Sequence, residues 1–163
     1  MVDSGTLHTV VRLRFSAVPL PPLTETGHLP VGIHHASVAE IRSVFGDNDH
    51  RKELLEQLDR ALAALSTLGF ARRIIVDGCF LGPREEPEDI DVLVTIDRLP
   101  RNARELAKSR REALRDLRKS LKPRIEILWF DEGLPEFEEV TSFFQDGCIK
   151  HGGIPKGIVE VTL

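Results

Sequence analysis

The stretch that most constrains the fold runs from Ile74 to Thr95 and reads IIVDGCFLGPREEPEDIDVLVT. It begins with a β-branched run, Ile74–Val76, which stops at Asp77-Gly78 and is typical of a strand that ends in a sharp turn. A loop rich in glycine and proline follows, and residues 90–94 then show the apolar alternation of a second strand. The segment therefore predicts two strands joined by a turn and a loop.

Two carboxylates, Asp89 and Asp91, stand at the head of the second predicted strand. Side chains two positions apart on a strand share a face, so the two charges repel each other unless a cation lies between them. Carboxylate oxygens suit Mg²⁺, which proteins often share with substrate phosphates. Gly78 would let backbone N–H groups approach a phosphate closely. An Asp-x-Asp pair by itself is also typical of solvated carboxylates. The surrounding sequence is therefore needed to distinguish a metal site from such a pair.

That surrounding pattern is a hydrophobic strand, Gly78 with a small polar residue, and Asp89-Ile90-Asp91 opening the next strand. It resembles the signature of the polymerase-beta-like nucleotidyltransferase superfamily. The superfamily normally carries Gly-Ser in the turn, whereas this chain carries Gly78-Cys79. A thiol donates a weaker hydrogen bond to phosphate than a hydroxyl does.

Length and composition predict one domain spanning residues 1–163. A chain of 163 residues with 41% hydrophobic content can bury a core without disulfide bonds or a structural metal. Residues 1–30 are interpreted as an N-terminal extension with a strand at His8–Ala17 and a proline-rich crossing at Leu20–Pro30. No apolar run has the length of a signal-peptide core or a membrane span, so we expect a soluble cytoplasmic protein.

The two cysteines, Cys79 and Cys148, form no CxxC motif, which argues against a zinc site and against a disulfide framework. Because Cys79 would lie among backbone N–H groups and bound cations, we expect its thiol to have a lowered pKa. Cys148 is expected in a surface turn without such neighbours.

The remaining elements follow from capping residues and hydrophobic periodicity. We expect a short helix that Ser37 and Glu40 open with a capping box and Gly46 closes, a longer helix from about Asp49 to Leu68, a short helix at Pro135–Gln145 and a closing strand at Ile158–Leu163.

A further helix is predicted from about Arg101 to Lys122, and it is strongly basic. It carries nine Lys or Arg and three Asp or Glu residues, although the whole chain has a formal net charge of −4. Such segregation suggests an anionic partner, and a solvated helix face that balances an acidic body explains it equally well. The expected buried face comprises Ala103, Leu106, Ala107, Leu114, Leu117 and Leu121.

The segment Arg124–Phe130, RIEILWF, predicts a third strand that carries a single charge, Glu126. A charge in an apolar run is costly unless it is paired or bound to a metal. The superfamily places its third carboxylate on such a strand, and Glu126 matches that position. Asp131 is the alternative, although its place before Gly133 is typical of a turn.

A closer resemblance covers most of the chain from about Leu29 onward, through LPVGIHHASVAEI, the DGCF and EEPEDID core, and FFQ with GIPKGIVEV. Together these look like a family of small bacterial proteins classed as nucleotidyltransferase-like. The resemblance implies an α+β fold with a nucleotidyltransferase-like mixed β-sheet flanked by helices. It also implies a minimal nucleotidyltransferase of the type found in toxin–antitoxin and defence modules.

Two functions are therefore expected, from different classes. In the first, Asp89, Asp91 and Glu126 hold two Mg²⁺ ions, and an NTP gives its NMP to a protein or RNA hydroxyl. Gly78 and Cys79 would seat the triphosphate, with Arg84 as a further counter-charge. In the second, the domain is a catalytically inactive binding module that engages an anionic partner through the basic helix at 101–122.

Overall fold

The computed structural model describes residues 19–147 and 153–161. Its α-helices are α1 (Val38–Phe45), α2 (Asp49–Leu68), α3 (Arg104–Leu121) and α4 (Pro135–Gln145). Its strands are β1 (Ile33–Ala36), β2 (Ala71–Asp77), β3 (Ile90–Ile96), β4 (Ile125–Asp131) and β5 (Ile158–Val161). A 3₁₀ turn, Cys79–Leu81, follows β2.

The five strands form one mixed sheet in the order β1-β5-β2-β3-β4. The two outer pairs, β1 with β5 and β3 with β4, are parallel, whereas β2 runs antiparallel to both of its neighbours. With four α-helices around this sheet, the described chain is a single α+β domain, as predicted.

The two faces of the sheet pack against different helices, because successive strand residues point to opposite sides. Val92 and Val94 of β3 belong to the larger core cluster, which also contains buried residues of α1, α2 and α3. Leu93 belongs to a smaller cluster with Phe137 of α4. Asp91 has the same strand parity as Leu93 and therefore lies on the α4 face.

Local sequence signals set the ends of the first two helices. Ser37 and Glu40 form the predicted capping box, and Gly46 ends α1. Asn48 caps α2, and Gly69 ends it in the left-handed region that favours glycine. Among the described residues, no helix combines the length and the apolar character needed to cross a membrane.

Other sequence expectations differ from the structure. The strand β1 was not predicted, and the predicted strand at His8–Ala17 lies outside the described residues. Helix α3 begins at Arg104 rather than Arg101, and Leu106 is 50% exposed instead of buried. Within α3 Leu114 alone is fully buried, because only the later turns of the helix reach the core cluster.

Candidate active site

Three carboxylates lie side by side across the α4 face of the sheet. Asp77, the last residue of β2, is in register with Asp91 of β3. Asp91 is in turn in register with Glu126 of β4. The structure thus places the predicted residues Asp91 and Glu126 on neighbouring strands, and it adds Asp77, which sequence reasoning had treated only as the end of a strand.

The turn at Gly78 lies directly against Asp91. Its φ of +94° is a conformation that side-chain-bearing residues rarely adopt. A Cβ at this position would lie 3.0 Å from Asp91 Oδ2 and 3.2 Å from the Asp91 backbone nitrogen. Glycine is therefore required both for the backbone angle and for the close approach of the turn to the carboxylate.

Both predicted carboxylates near this turn, Asp89 and Asp91, have raised pKa values. Burial raises the pKa of Asp91 to about 6, with further contributions from Asp89 and Asp77 that Lys156 partly opposes. Burial and the nearby Glu88 raise the pKa of Asp89 as well. Asp89 thus contributes to the raised pKa of Asp91, whereas burial and Glu88 account for the shift at Asp89 itself.

A buried ion pair that sequence reasoning missed lies next to the glycine turn. Nζ of Lys156 is 2.5 Å from Asp77 Oδ1 and donates a hydrogen bond of 2.8 Å to the carbonyl oxygen of Gly78. Asp77 Oδ2 is buried and has no hydrogen-bond partner among the described residues. Burial raises the pKa of Asp77, and the ammonium of Lys156 acts in the opposite direction.

The position of Lys156 is fixed by its backbone. Its N–H donates to the carbonyl oxygen of Gln145, and the N–H of Gly157 donates to that of Leu29, each at 2.9 Å. A Cβ on Gly157 would lie 2.2 Å from the carbonyl oxygen of Pro30, so only glycine fits after the lysine. No local sequence pattern marks Lys156, because its partner Asp77 lies 79 residues earlier.

The loop between Gly78 and Asp89 is held by the start of α2. The buried guanidinium of Arg51 donates hydrogen bonds of 2.6 to 3.1 Å to the backbone carbonyl oxygens of Phe45, Phe80, Gly82 and Arg84. Asn48 donates to the carbonyl oxygen of Glu85 at 3.0 Å, and Nε2 of His50 lies 2.6 Å from that of Pro87. The loop that leads to Asp89 is therefore anchored along most of its length.

Arg84 and Cys79 lie together at the start of this loop. The guanidinium of Arg84 is 4.0 Å from Cys79 Sγ and 3.0 Å from Glu88 Oε1. Burial raises the pKa of the Cys79 thiol, and the opposing effect of Arg84 does not outweigh it. The expectation of a lowered thiol pKa was wrong, because the desolvation of the turn exceeds the influence of nearby positive charge.

Both candidates for the third carboxylate are paired with the basic helix α3. Glu126 forms ion pairs with Arg118 and with Lys122, the latter at 3.0 Å. Asp131 lies 3.5 Å from Arg111. Among the described residues, no group of three or more His, Cys, Asp or Glu side chains is arranged to hold a metal ion.

Asp89 and Asp91 are the carboxylates whose chemistry suits Mg²⁺, since this ion commonly uses one or two carboxylates together with substrate phosphates. Glu126 is engaged by two cations, so it could join them only after those ion pairs open. The two-ion arrangement with Asp89, Asp91 and Glu126 stays a prediction.

A cavity of about 400 Å³ opens beside the glycine turn, a volume in the range of small-molecule sites. Its polar lining consists of Asp77, Gly78, Cys79, Arg84, Asp91 and Lys156. Its apolar lining consists of Phe143, Phe144 and Ile154, and Thr26, His28, Gly82 and Pro83 complete the wall. Of the predicted site residues, Gly78, Cys79, Arg84 and Asp91 thus meet in one cavity. Asp89 and Glu126 lie outside the lining that the described residues form.

Comparison with known proteins places the chain in a family. No curated protein and no solved structure matches it. One protein-family model matches residues 21–162, which include every element and every candidate site residue described above. The chain therefore belongs to the Family of unknown function (DUF6932).

Proposed function

We propose that the chain is a Mg²⁺-dependent nucleotidyltransferase that transfers the NMP of an NTP to a hydroxyl group of a protein or RNA. The observation that carries this proposal is the contact between the Gly78 turn and Asp91 at the polar lining of the cavity. A glycine turn and a pair of carboxylates are the two parts that a phosphate–magnesium complex needs, since one approaches the phosphate and the other the metal.

Asp89 and Asp91 would hold the metal ion in this proposal. When bound, Mg²⁺ would neutralise charge on the phosphates and orient them for displacement. The hydroxyl oxygen of the acceptor then forms a bond to the α-phosphorus while the bond from that phosphorus to the β-phosphate oxygen breaks. Pyrophosphate leaves, and the hydroxyl proton passes to water.

Lys156 and Arg84 would contribute positive charge toward the triphosphate. Lys156 stands beside the Gly78 turn, and two of its three ammonium hydrogens serve Asp77 and Gly78. Arg84 lies in the same polar lining. A phosphate in the cavity would therefore meet two cations together with the backbone of the turn.

The test incubates the protein with Mg²⁺, a bacterial lysate and each of the four α-labelled NTPs in turn. It then measures whether the label is transferred to a macromolecule. We expect label on one protein or RNA species, and we expect Asp89→Ala with Asp91→Ala to abolish it. Asp116→Ala provides the matched control, because Asp116 is an exposed carboxylate on α3 outside the cavity lining. Equal labelling by the double variant and the control variant would refute the proposal.

The binding-module function is favoured by one observation on α3. Arg104, Lys108 and Arg115 are exposed, and none of them forms an ion pair within the described part of the chain. Replacing these three residues by Gln should weaken salt-dependent binding to RNA if the module function holds. It should leave nucleotide transfer unchanged if the helix merely balances the acidic body.

A further inference from the structure

Phe143 is 63% exposed although it borders a cavity, and Ile154, which lines the same cavity, is 37% exposed. Single exposed apolar side chains are ordinary on a protein surface, but these two line the same cavity as Phe144. Apolar walls with a few polar groups are the usual construction of small-molecule sites. The exposed side chains are therefore placed where a ligand would cover them.

The wall that carries Phe143 is held firmly on the sheet. Arg73 of β2 makes two hydrogen bonds of 3.0 Å to Glu160 of β5 and one of 3.2 Å to Glu138 of α4. Its guanidinium also lies 5.0 Å from the ring centroid of Phe137 on α4. Helix α4 is thus anchored at its first turns.

The last turns of α4 then fix the aromatic rings. Phe144 is half-buried against the smaller core cluster. The Phe143 ring lies edge-on to it, with centroids 6.0 Å apart and an interplanar angle of 73°. Phe143 therefore makes one aromatic contact within the protein and leaves most of its ring exposed at the cavity.

The cavity thus offers two kinds of surface to one occupant. The polar lining suits an anionic group, whereas the apolar lining, with its two aromatic rings, suits a flat ring without charge. We infer that the apolar lining, with Phe143 as its main contact, holds the nucleobase of the NTP while the polar lining holds its triphosphate. This inference rests on the proposed function and adds the residues that distinguish a nucleotide from a bare polyphosphate.

The test compares binding of Mg²⁺–ATP with binding of Mg²⁺–tripolyphosphate, which has the phosphates and lacks the base. We expect Phe143→Ala to weaken ATP binding roughly tenfold, in line with the loss of one base–aromatic contact. Tripolyphosphate binding should be unchanged. Phe143→Tyr keeps the ring and should bind ATP like the wild type, and Leu106→Ala, an exposed apolar truncation on α3, is the matched control.

The possible outcomes separate this inference from the proposed function. ATP binding that Phe143→Ala leaves unchanged would overturn the inference alone. An equal loss of ATP and tripolyphosphate binding would also overturn it, because the ring would then support the cavity rather than the base. If the wild type binds neither compound, the proposed function and the inference fail together. Because Phe143 is largely exposed, its truncation should leave the melting temperature near that of the wild type.

Discussion

At the scale of single residues, Asp91 links stability to pH in a direction opposite to that of most carboxylates. Its pKa in the folded protein is raised to about 6, above the value near 4 of an unfolded chain. The folded state therefore holds the proton more tightly. The stabilisation that the raised pKa of Asp91 contributes is fully present below about pH 4 and is lost as the pH rises through about 6.

We therefore expect Asp91→Asn to be more stable than the wild type at pH 8, by up to about 3 kcal/mol. The difference should disappear near pH 4, where both side chains are neutral. Urea denaturation at the two pH values measures it, and Asp116→Asn, an exposed carboxylate, is the control. A difference between variant and wild type that stays constant with pH would contradict the expectation.

The second prediction concerns Cys79, whose pKa is raised by burial. In a Cys148→Ser background, we expect Cys79 to be alkylated more slowly at pH 7 than glutathione is, because less thiolate is present. Mg²⁺–ATP should slow the reaction further if the turn seats the triphosphate, and Cys79→Ser should preserve nucleotide binding. Mass spectrometry of the labelled peptide gives the rates. The same rate with and without nucleotide would remove Cys79 from the site.

The third prediction separates Glu126 from Asp131 as the third carboxylate. Glu126 is the register neighbour of Asp91, whereas Asp131 lies at the far end of β4. If Glu126 completes the metal site, we expect Glu126→Gln to abolish nucleotide transfer without unfolding the protein, and Asp131→Asn to have little effect. The labelling assay measures nucleotide transfer by each variant, and a melting curve shows whether the variant is folded. The reverse order of activities would assign the role to Asp131.

At the scale of elements, the start of α2 supports the loop that carries the site. Arg51→Met removes the donor of four backbone carbonyl oxygens while keeping most of the side-chain volume. We expect a loss of about 3 kcal/mol in the free energy of unfolding, since buried acceptors are left without partners. Nucleotide binding should weaken as well, because the same loop leads to Asp89.

Arg42→Met is the matched control for this fourth prediction, because Arg42 makes an exposed ion pair with Asp59. Such pairs contribute about 0 to 1 kcal/mol. Chemical denaturation of both variants gives the comparison. Equal losses for Arg42 and Arg51 would show that the loop does not depend on the buried guanidinium.

Elements with strong local signals were predictable, and those set by distant contacts were not. The capping box at Ser37 and the helix at Pro135–Gln145 follow from their own residues. The strand β1 has four residues, two of them histidines, and depends on pairing with β5. The sequence therefore had no local pattern from which to predict it.

The same distinction between local signals and distant contacts applies to the residues of the candidate site. The glycine turn and Asp91 lie close together in sequence, so their meeting was predictable from two adjacent strands. The contact between Asp77 and Lys156 depends on β5 lying next to β2, which the local pattern does not contain. The raised pKa of Cys79 depends on burial, which becomes apparent only when the chain is folded.

At the scale of the whole molecule, ligand binding should raise stability. We expect Mg²⁺–ATP at one hundred times its Kd to stabilise the fold by about 2.7 kcal/mol. For a chain of this size that corresponds to roughly 5–10 °C in melting temperature. Asp89→Ala with Asp91→Ala should remove the shift, and chelation of Mg²⁺ should do the same. A double variant that responds like the wild type would place the metal elsewhere.

The position of β5 between β1 and β2 also bears on how the protein is made. Ile33 pairs with Ile158, so a ribosome must add roughly 125 residues between the two partners, which takes about 6–25 s. Once β2 has also been synthesised, the facing edges of β1 and β2 remain unpaired until β5 follows, and such edges can pair with other chains. Asp77 meanwhile has not met Lys156. A nascent chain that stalls before Lys156 emerges thus holds Asp77 without its buried cation, and its unpaired strand edges stay open to pairing with other chains.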